Sequence, residues 1–339
     1  MSFRVRPARL DDSDAIFEMA RLTGGGFTNL PADRDTLMAK LERSDRSFSR
    51  DGEEQQADLY LFVLEDPAEK IIRGTCQVFG QVGVVQPFYS YNLTTLTQTS
   101  PELGKTFRNQ MLSLTTDLEG LSEVGGLFLH PDSRSGGLGT LLARSRYLFI
   151  RKNRARFADK MVAELRGVID EDGGSPFWDA IAGRFFGMGF KEADAFNGAH
   201  GTQFIADLMP KTPIYTALLS PEALAVMRRP HPSGDAAMRM LEREGFRNEG
   251  YVDIFDGGPT MSANTDQIRT LREAQELILA GTLDRQTGEK MLLATGRLAD
   301  FVSGYGHVGP AGDGSATLDP TGARLLGLAP GDAFLAVGR

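Results

Sequence analysis

The feature that most constrains this 339-residue chain lies near its centre, where an apolar run, a glycine-rich break and an amphipathic run follow one another. Glu123–Leu129 reads as a strand that ends at His130-Pro131-Asp132. Ser133-Arg134-Ser135-Gly136-Gly137-Leu138-Gly139 comes next, and then Leu138, Leu141, Leu142, Ser145, Leu148 and Phe149 share one face of a helix. The first N–H groups of a helix have no intrahelical partner, and the macrodipole adds partial positive charge there. Glycines at 136, 137 and 139 let the backbone close on an anion without Cβ collisions, and Arg134 adds a charged fork. A simple strand-to-helix turn would also use glycine. The strand before and the long helix after favour a pyrophosphate site over a bare turn.

The string is Arg-x-x-Gly-x-Gly. No Gly-Lys-Ser/Thr follows it, and Gly-x-Gly-x-x-Gly after a first βα turn is missing, so neither a Walker loop nor a dinucleotide fingerprint is present. Coenzyme A is therefore a better ligand than ATP or NAD. Loops of this kind take the pantetheine arm alongside the preceding strand through backbone bonds. That makes Leu127, Phe128 and Leu129 main-chain contributors, beside Arg134, Gly136, Gly137, Leu138 and Gly139 of the loop itself.

The length exceeds one ordinary domain, so two units or a duplicated core are expected. A short strand Phe3–Pro7 leads to a helix, with Asp11 or Asp12 as its N-cap, and a second helix covers about 35–44. Leu59–Leu64, continuous and apolar, suits a strand buried on both faces. Further strands are expected over 71–84, 88–96, 160–169, 204–208 and 251–255, and helices over 176–188 and 235–244. Gly189-Phe190 and Gly245-Phe246, each after a helix, hint at two related halves. The expected division is 1–195 with the loop, 196–280 as the second half, and 281–339 as a small β-rich subdomain. The class is α+β, with mixed sheets flanked by helices.

Net charge is −8, from 37 basic and 45 acidic side chains, which argues against nucleic acid and suits a cationic substrate. No apolar run approaches the roughly 18 residues of a membrane span. The N-terminus has no signal-like apolar region, so a cytoplasmic location is expected. Cys76, the single cysteine, reads as a small buried hydrophobe rather than a nucleophile. Four scattered histidines give no metal-ligand spacing, and Asp170-Glu171-Asp172 reads as a solvated turn.

The strand–loop–helix resembles the acyl-CoA motif of the N-acetyltransferase (GNAT) superfamily. A narrower resemblance lies on both sides of it. Thr23-Gly24-Gly25-Gly26-Phe27-Thr28-Asn29-Leu30-Pro31, Ala163–Glu171, Ser175-Pro176-Phe177-Trp178, Asp207–Tyr215 and Asp253–Thr260 resemble segments of arginine N-succinyltransferases, over about residues 3–275. The resemblance implies an N-acetyltransferase-like fold, and the two Gly-Phe endings suggest that it comes in two tandem halves. It also implies succinyl transfer from succinyl-CoA to the α-amine of L-arginine in arginine catabolism, with no tightly bound cofactor. Ornithine is accepted by some relatives, and some assemble from two paralogous subunits, so a homodimer or such a heteromer is expected. His130 stands where such sequences carry an acidic residue.

The same resemblance makes His231 the proton-transfer residue and Leu127 a succinyl-CoA contact. His231 lies in Arg229-Pro230-His231-Pro232, where two prolines stiffen the backbone; by itself, that setting also suits an ordinary surface histidine. Glu164, in an apolar strand, is the alternative base, unless it merely faces water. Asp253 and Asp256 could pair with a guanidinium, although Asp256 before Gly-Gly also suits a turn. Arg166 and Lys211 are the cations nearest these motifs for the succinyl carboxylate. Competing readings are an ornithine-preferring or other CoA-dependent N-acyltransferase, and a non-catalytic partner subunit.

Overall fold

The computed structural model describes residues 3–23, 29–283, 287–312 and 314–339, except the side chains of residues 199 and 200. The glycines of Thr23–Pro31 lie outside the described residues. The fold is α+β. Its two compact units interleave along the chain: Met1–Gly80, Ser122–Asp159 and Asn264–Arg339 form one, Gln81–Leu121 and Lys160–Ala263 the other. These bounds cut across the expected divisions at 195 and 280, because strands pair with neighbours from distant parts of the sequence.

In the first unit, Arg4–Pro7, Leu59–Asp66, Ile71–Phe79 and Ser122–Leu129 lie side by side, each antiparallel to the next. Leu59 through Leu64 are all buried, as a strand covered on both faces requires. Helices Ser13–Arg21 and Arg34–Ser49 bring Ile16, Met19, Leu37 and Leu41 against Leu61 and Val63. Asp33 caps the second helix by accepting the Thr36 N–H at 2.8 Å. Asp12 does not cap the first helix through its side chain. Its carboxylate instead takes the Arg6 guanidinium at 2.8 and 3.0 Å and the Arg9 N–H at 2.7 Å.

The C-terminal segment is β-rich as expected, but it is continuous with this sheet. Val5 pairs with Ser303 and Arg4 with Gly304. Gln275–Thr282, Ser315–Leu318, Val302–Pro310, Glu289–Thr295 and Ala333–Gly338 pair in a ring, each with the next and the last with the first. Closure leaves no free edge among them. Leu279, Leu293, Val308, Leu318 and Phe334 fill this small barrel, and helix Pro320–Leu326 adds Ala323 and Leu326.

The second unit orders its strands Lys160–Glu164, Pro259–Asn264, Arg247–Val252, Ser90–Ser100, Lys105–Thr115, Ile214–Tyr215. Ser90–Ser100 and Lys105–Thr115 form a long hairpin, paired from Ser90↔Thr115 to Ser100↔Lys105. The core gathers around Trp178, which stacks on Phe255 at 5.5 Å and donates its indole N–H to the Met188 carbonyl at 2.9 Å. Several expectations need correction. The helix expected over 176–188 is two short ones, Pro176–Ala180 and Gly183–Phe186, broken at Ile181. Residues 204–208 belong to a helix, Gln203–Leu208, whose Ile205 and Ala206 face the core; a short apolar run has no period of its own to separate the two forms. The two Gly-Phe pairs differ. Gly245, at φ 99°, ends helix Asp235–Glu244, whereas Phe190 opens a helix, Phe190–His200.

Candidate functional site

The glycine loop is built as a helix start aimed at an anion. A single 3₁₀ turn, Pro131–Ser133, follows the strand, and His130 caps it by accepting the Asp132 N–H on Nδ1 at 3.3 Å. Gly136 and Gly137 then take consecutive left-handed conformations, φ 66° and 83°, which only glycine adopts without cost. Helix Leu138–Lys152 begins there with no side-chain cap at Gly137. Open space surrounds the Cα of Gly136, and Arg134 lies exposed with its Nε 3.5 Å from the Leu129 carbonyl. Uncapped amides, adjacent open backbone and a guanidinium fit a pyrophosphate.

The strand before the loop carries a bulge. Thr75 pairs with Phe128 and Gln77 with Gly125, so Gly126 and Leu127 oppose only Cys76. Gly126 sits at φ 57°, and Thr75 Oγ1 donates to its carbonyl at 3.2 Å. The bulge takes Leu127 out of the regular ladder with Ile71–Phe79 and turns the strand just ahead of the loop. Cys76 beneath it is fully buried, its thiol 3.3 Å from the Leu142 carbonyl and pushed up to about 12 by burial. It is a core residue.

Beside this strand is a polar cluster that the sequence did not announce. Glu123 is buried, and burial pushes its carboxyl up to about 7, against the pull of Lys40 and of a hydrogen bond from Asn29. Burial lowers the Lys40 ammonium to about 7, against the pull of Glu123. Lys40 donates to the Asn29 carbonyl, Gln77 Nε2 donates to Asn29 Oδ1 at 2.5 Å, and Arg146 donates to the Gly125 carbonyl at 3.3 Å. Asn29 thereby bonds both Glu123 on the bulged strand and Gln77 on the strand beside it.

In the second unit, the turn after strand Lys160–Glu164 meets the Pro-His-Pro segment. Gly167 bridges to Pro230, and the His231 N–H donates to the Arg166 carbonyl at 2.7 Å, which sets these two residues side by side. His231 Nδ1 lies 2.7 Å from the Ser233 hydroxyl and 3.2 Å from the Ser233 N–H. The Ser233 N–H donates to Nδ1, so a base at Nε2 needs the other tautomer, with the Nδ1 proton donated to Ser233 Oγ and the Ser233 N–H bond given up. Partial burial, then the Arg166 charge, hold the imidazole below its ordinary 6.5. Arg166 itself has a buried Nε that makes no hydrogen bond among the described residues.

The carboxylates separate in role. Asp256 accepts the Gly167 N–H at 2.7 Å on one oxygen and the Gly258 N–H at 2.8 Å on the other. Each oxygen thus accepts one backbone N–H, which favours the turn reading of Asp256 over the guanidinium role. Asp253 accepts the Phe255 and Asp256 N–H groups on one oxygen, at 2.7 and 2.9 Å. Burial raises its carboxyl. Asp194, on helix Phe190–His200, is raised by burial and by the Asp253 charge, and lowered by Arg166. It was not singled out from the sequence, where nothing distinguishes it from any helix carboxylate. Glu164 lies at the end of its strand, with the Thr260 hydroxyl 3.5 Å away. Lys211, exposed just past a helix end, donates to the Ala206 carbonyl at 2.7 Å. Among the described residues no cluster fits a metal ion, and no helix is long and apolar enough to cross a membrane.

Comparison with known proteins places these features in a family. Residues 3–270 match the family described as "Arginine N-succinyltransferase beta subunit", and residues 275–338 match its C-terminal domain. The chain is 42% identical to the arginine N-succinyltransferase subunit beta of Pseudomonas aeruginosa, over 98% of this chain and 97% of that one. It is 44% identical to the arginine N-succinyltransferase of Escherichia coli, over 80% of this chain and 78% of that one. Among solved structures it is similar to arginine/ornithine succinyltransferase subunit AI from P. aeruginosa, with a TM-score of 0.90 and 31% identity, covering 99% of this chain and 98% of that one.

Proposed function

Because this chain belongs to the arginine N-succinyltransferase family, we propose that it transfers the succinyl group of succinyl-CoA to the α-amine of L-arginine. The observation that carries the reading is the loop. Two left-handed glycines open an uncapped 15-residue helix directly after a bulged strand. The amides of residues 136–139 and Arg134 hold the pyrophosphate, and the backbone of Leu127, Phe128 and Leu129 takes the pantetheine arm.

In the reaction the neutral α-amine attacks the thioester carbonyl carbon. A C–N bond forms, the carbonyl becomes an oxyanion, and its collapse breaks the C–S bond; the thiolate leaves and is protonated. His231 takes the proton that the ammonium must lose, and its lowered pKa keeps it able to accept one at neutral pH. Glu164 is the alternative base. Arg166, with a buried and unpaired Nε, takes the succinyl carboxylate. Asp253 serves the substrate's cationic side chain. Lys211, which keeps two further N–H donors beside its bond to the Ala206 carbonyl, is the second candidate for the succinyl carboxylate. The buried, high-pKa Cys76 supports direct transfer over an acyl-enzyme.

The names of the relatives carry two further readings. "Subunit beta" and "subunit AI" favour assembly, as a homodimer or with a paralogous chain, and "arginine/ornithine" favours ornithine as a second amine. A cytoplasmic location suits a CoA thioester substrate. The test is thiol release by the purified chain given succinyl-CoA or acetyl-CoA with arginine, ornithine or lysine. Succinyl-CoA with arginine should be fastest. Release that no amine stimulates, with either thioester, overturns the proposal for the isolated chain and points to a partner-dependent subunit.

A further inference from the structure

The core of the second unit holds polar groups that its own side chains leave unanswered. Tyr91, on strand Ser90–Ser100, pairs with Val252, the residue before Asp253. Its ring meets Phe177 edge-on at 6.0 Å and is 1% exposed. The Tyr91 hydroxyl is buried and has no hydrogen-bond partner among the described residues. A buried hydroxyl left in that state is destabilising unless a ligand supplies the partner. Burial, then the Asp253 charge, raise the phenol, as a tyrosine beside that carboxylate requires.

Helix Phe190–His200 brings a second carboxylate to the same place. Phe190, Ala193, Asp194 and Asn197 follow the i, i+3, i+4, i+7 spacing of one helix face. Phe190 and Ala193 of that face lie in the apolar cluster that also holds Tyr91, Val252 and Ile254. Asp194 therefore stands on the buried side of its helix, half-buried like Asp253. Burial is the largest push on Asp253 and Asp256 alike, and the side-chain bond between them lowers Asp253 and raises Asp256. Asp253 thus holds the charge of that pair. Both Asp194 and Asp253 stay raised, so the cations folded around them do not answer their charge. Arg166, whose charge reaches Asp194, has a buried Nε that is itself without a partner among the described residues. Two half-buried carboxylates side by side are unfavourable unless a cation joins them.

We infer that Asp194, with Asp253 and the Tyr91 hydroxyl, forms the pocket for the cationic end of the amine substrate's side chain. The two carboxylates accept the guanidinium N–H groups, and the tyrosine oxygen accepts a further one. This rests on reading the chain as a transferase acting on L-arginine. Asp253 is also needed by its own turn, so Asp194 is the residue whose change tests the pocket.

The test compares arginine with citrulline, which has a neutral ureido group of nearly the same shape. Calorimetric binding to the full chain saturated with coenzyme A is measured beside steady-state succinyl transfer. Wild type should favour arginine by about 10²-fold or more. D194N should weaken arginine by about 10- to 100-fold, seen as a raised KM at a kcat within about threefold. It should leave citrulline within about twofold, and D194E should recover part of the loss. Y91F should weaken arginine by about 3- to 10-fold and raise the urea midpoint of the unliganded chain, because an unpaired buried hydroxyl is gone. Unchanged arginine affinity in D194N, or equal losses for both amines, overturns the pocket and leaves arginine as the substrate. Wild type that binds the two amines equally overturns it as well. Wild type that binds neither overturns the arginine reading and the pocket with it.

Discussion

Asp256→Ala separates a structural carboxylate from a substrate ligand. The wild-type carboxylate receives the Gly167 N–H at 2.7 Å and the Gly258 N–H at 2.8 Å. Alanine leaves both buried donors without partners, at about 1–3 kcal/mol each, so about 2–6 kcal/mol in all. Part of this is offset, because the variant no longer buries a carboxylate beside Asp253. Asp256→Asn keeps one acceptor and presents an NH₂ to the other amide, so it should lose about half as much. Urea unfolding followed by circular dichroism reads the loss as a lower midpoint at unchanged slope. The pH dependence has a definite sign. Burial, then the Asp253 charge, raise the Asp256 carboxyl well above 3.8, so the folded chain keeps this proton to higher pH than the unfolded chain. That contribution to stability is full below 3.8 and weakens as pH rises through the folded pKa; both variants should lack it. A wild-type midpoint in Asp256→Ala, with a greatly raised KM for arginine, would refute the reasoning and restore Asp256 as a guanidinium ligand.

Three further outcomes follow from the same geometry. His231→Ala should cut kcat by about 10²–10⁴, and in wild type the acid limb of kcat/KM should fall below 6.5, moving upward when Arg166→Gln removes the neighbouring charge; a limb unmoved by that change would separate the two residues. Gly137→Val forces a branched side chain into φ 83°, where its Cβ would meet the Arg339 guanidinium. Coenzyme A affinity should drop about 3- to 30-fold, the range of a helix-start anion contact, and unchanged affinity would show the loop to be only a turn. Cys76 should react with an alkylating reagent only as fast as the fold opens, read by mass spectrometry against urea; rapid labelling of the native chain would contradict its burial.

Features written in contiguous residues were legible before the structure. The loop at 134–139 needs only glycine's conformational freedom and a following amphipathic run. Asp235–Glu244 and the buried strand at 59–64 follow from period and continuous apolarity. What escaped depends on partners far along the chain. The strand Lys105–Thr115 is polar enough to hide, and its register against Ser90–Ser100 makes it a strand. Asp256 looked like a substrate ligand until the amides of Gly167 and Gly258 took both its oxygens. The barrel's closure, and its union with Arg4–Pro7 through Val302–Pro310, rest on hydrogen bonds between segments about 300 residues apart. Asp194 and Lys40 carry no local signal; their meaning comes from the Asp253, Arg166 and Glu123 side chains that folding brings to them.

The most direct test of the account is the identity of the product. Incubating the chain with succinyl-CoA and arginine labelled with ¹⁵N at the α-amine, and following the nitrogen by NMR, reports where the acyl group lands. The account predicts a single new amide whose N–H carries the label, formed together with one equivalent of free thiol. An acylated guanidinium, or thiol release without a labelled amide, would contradict it.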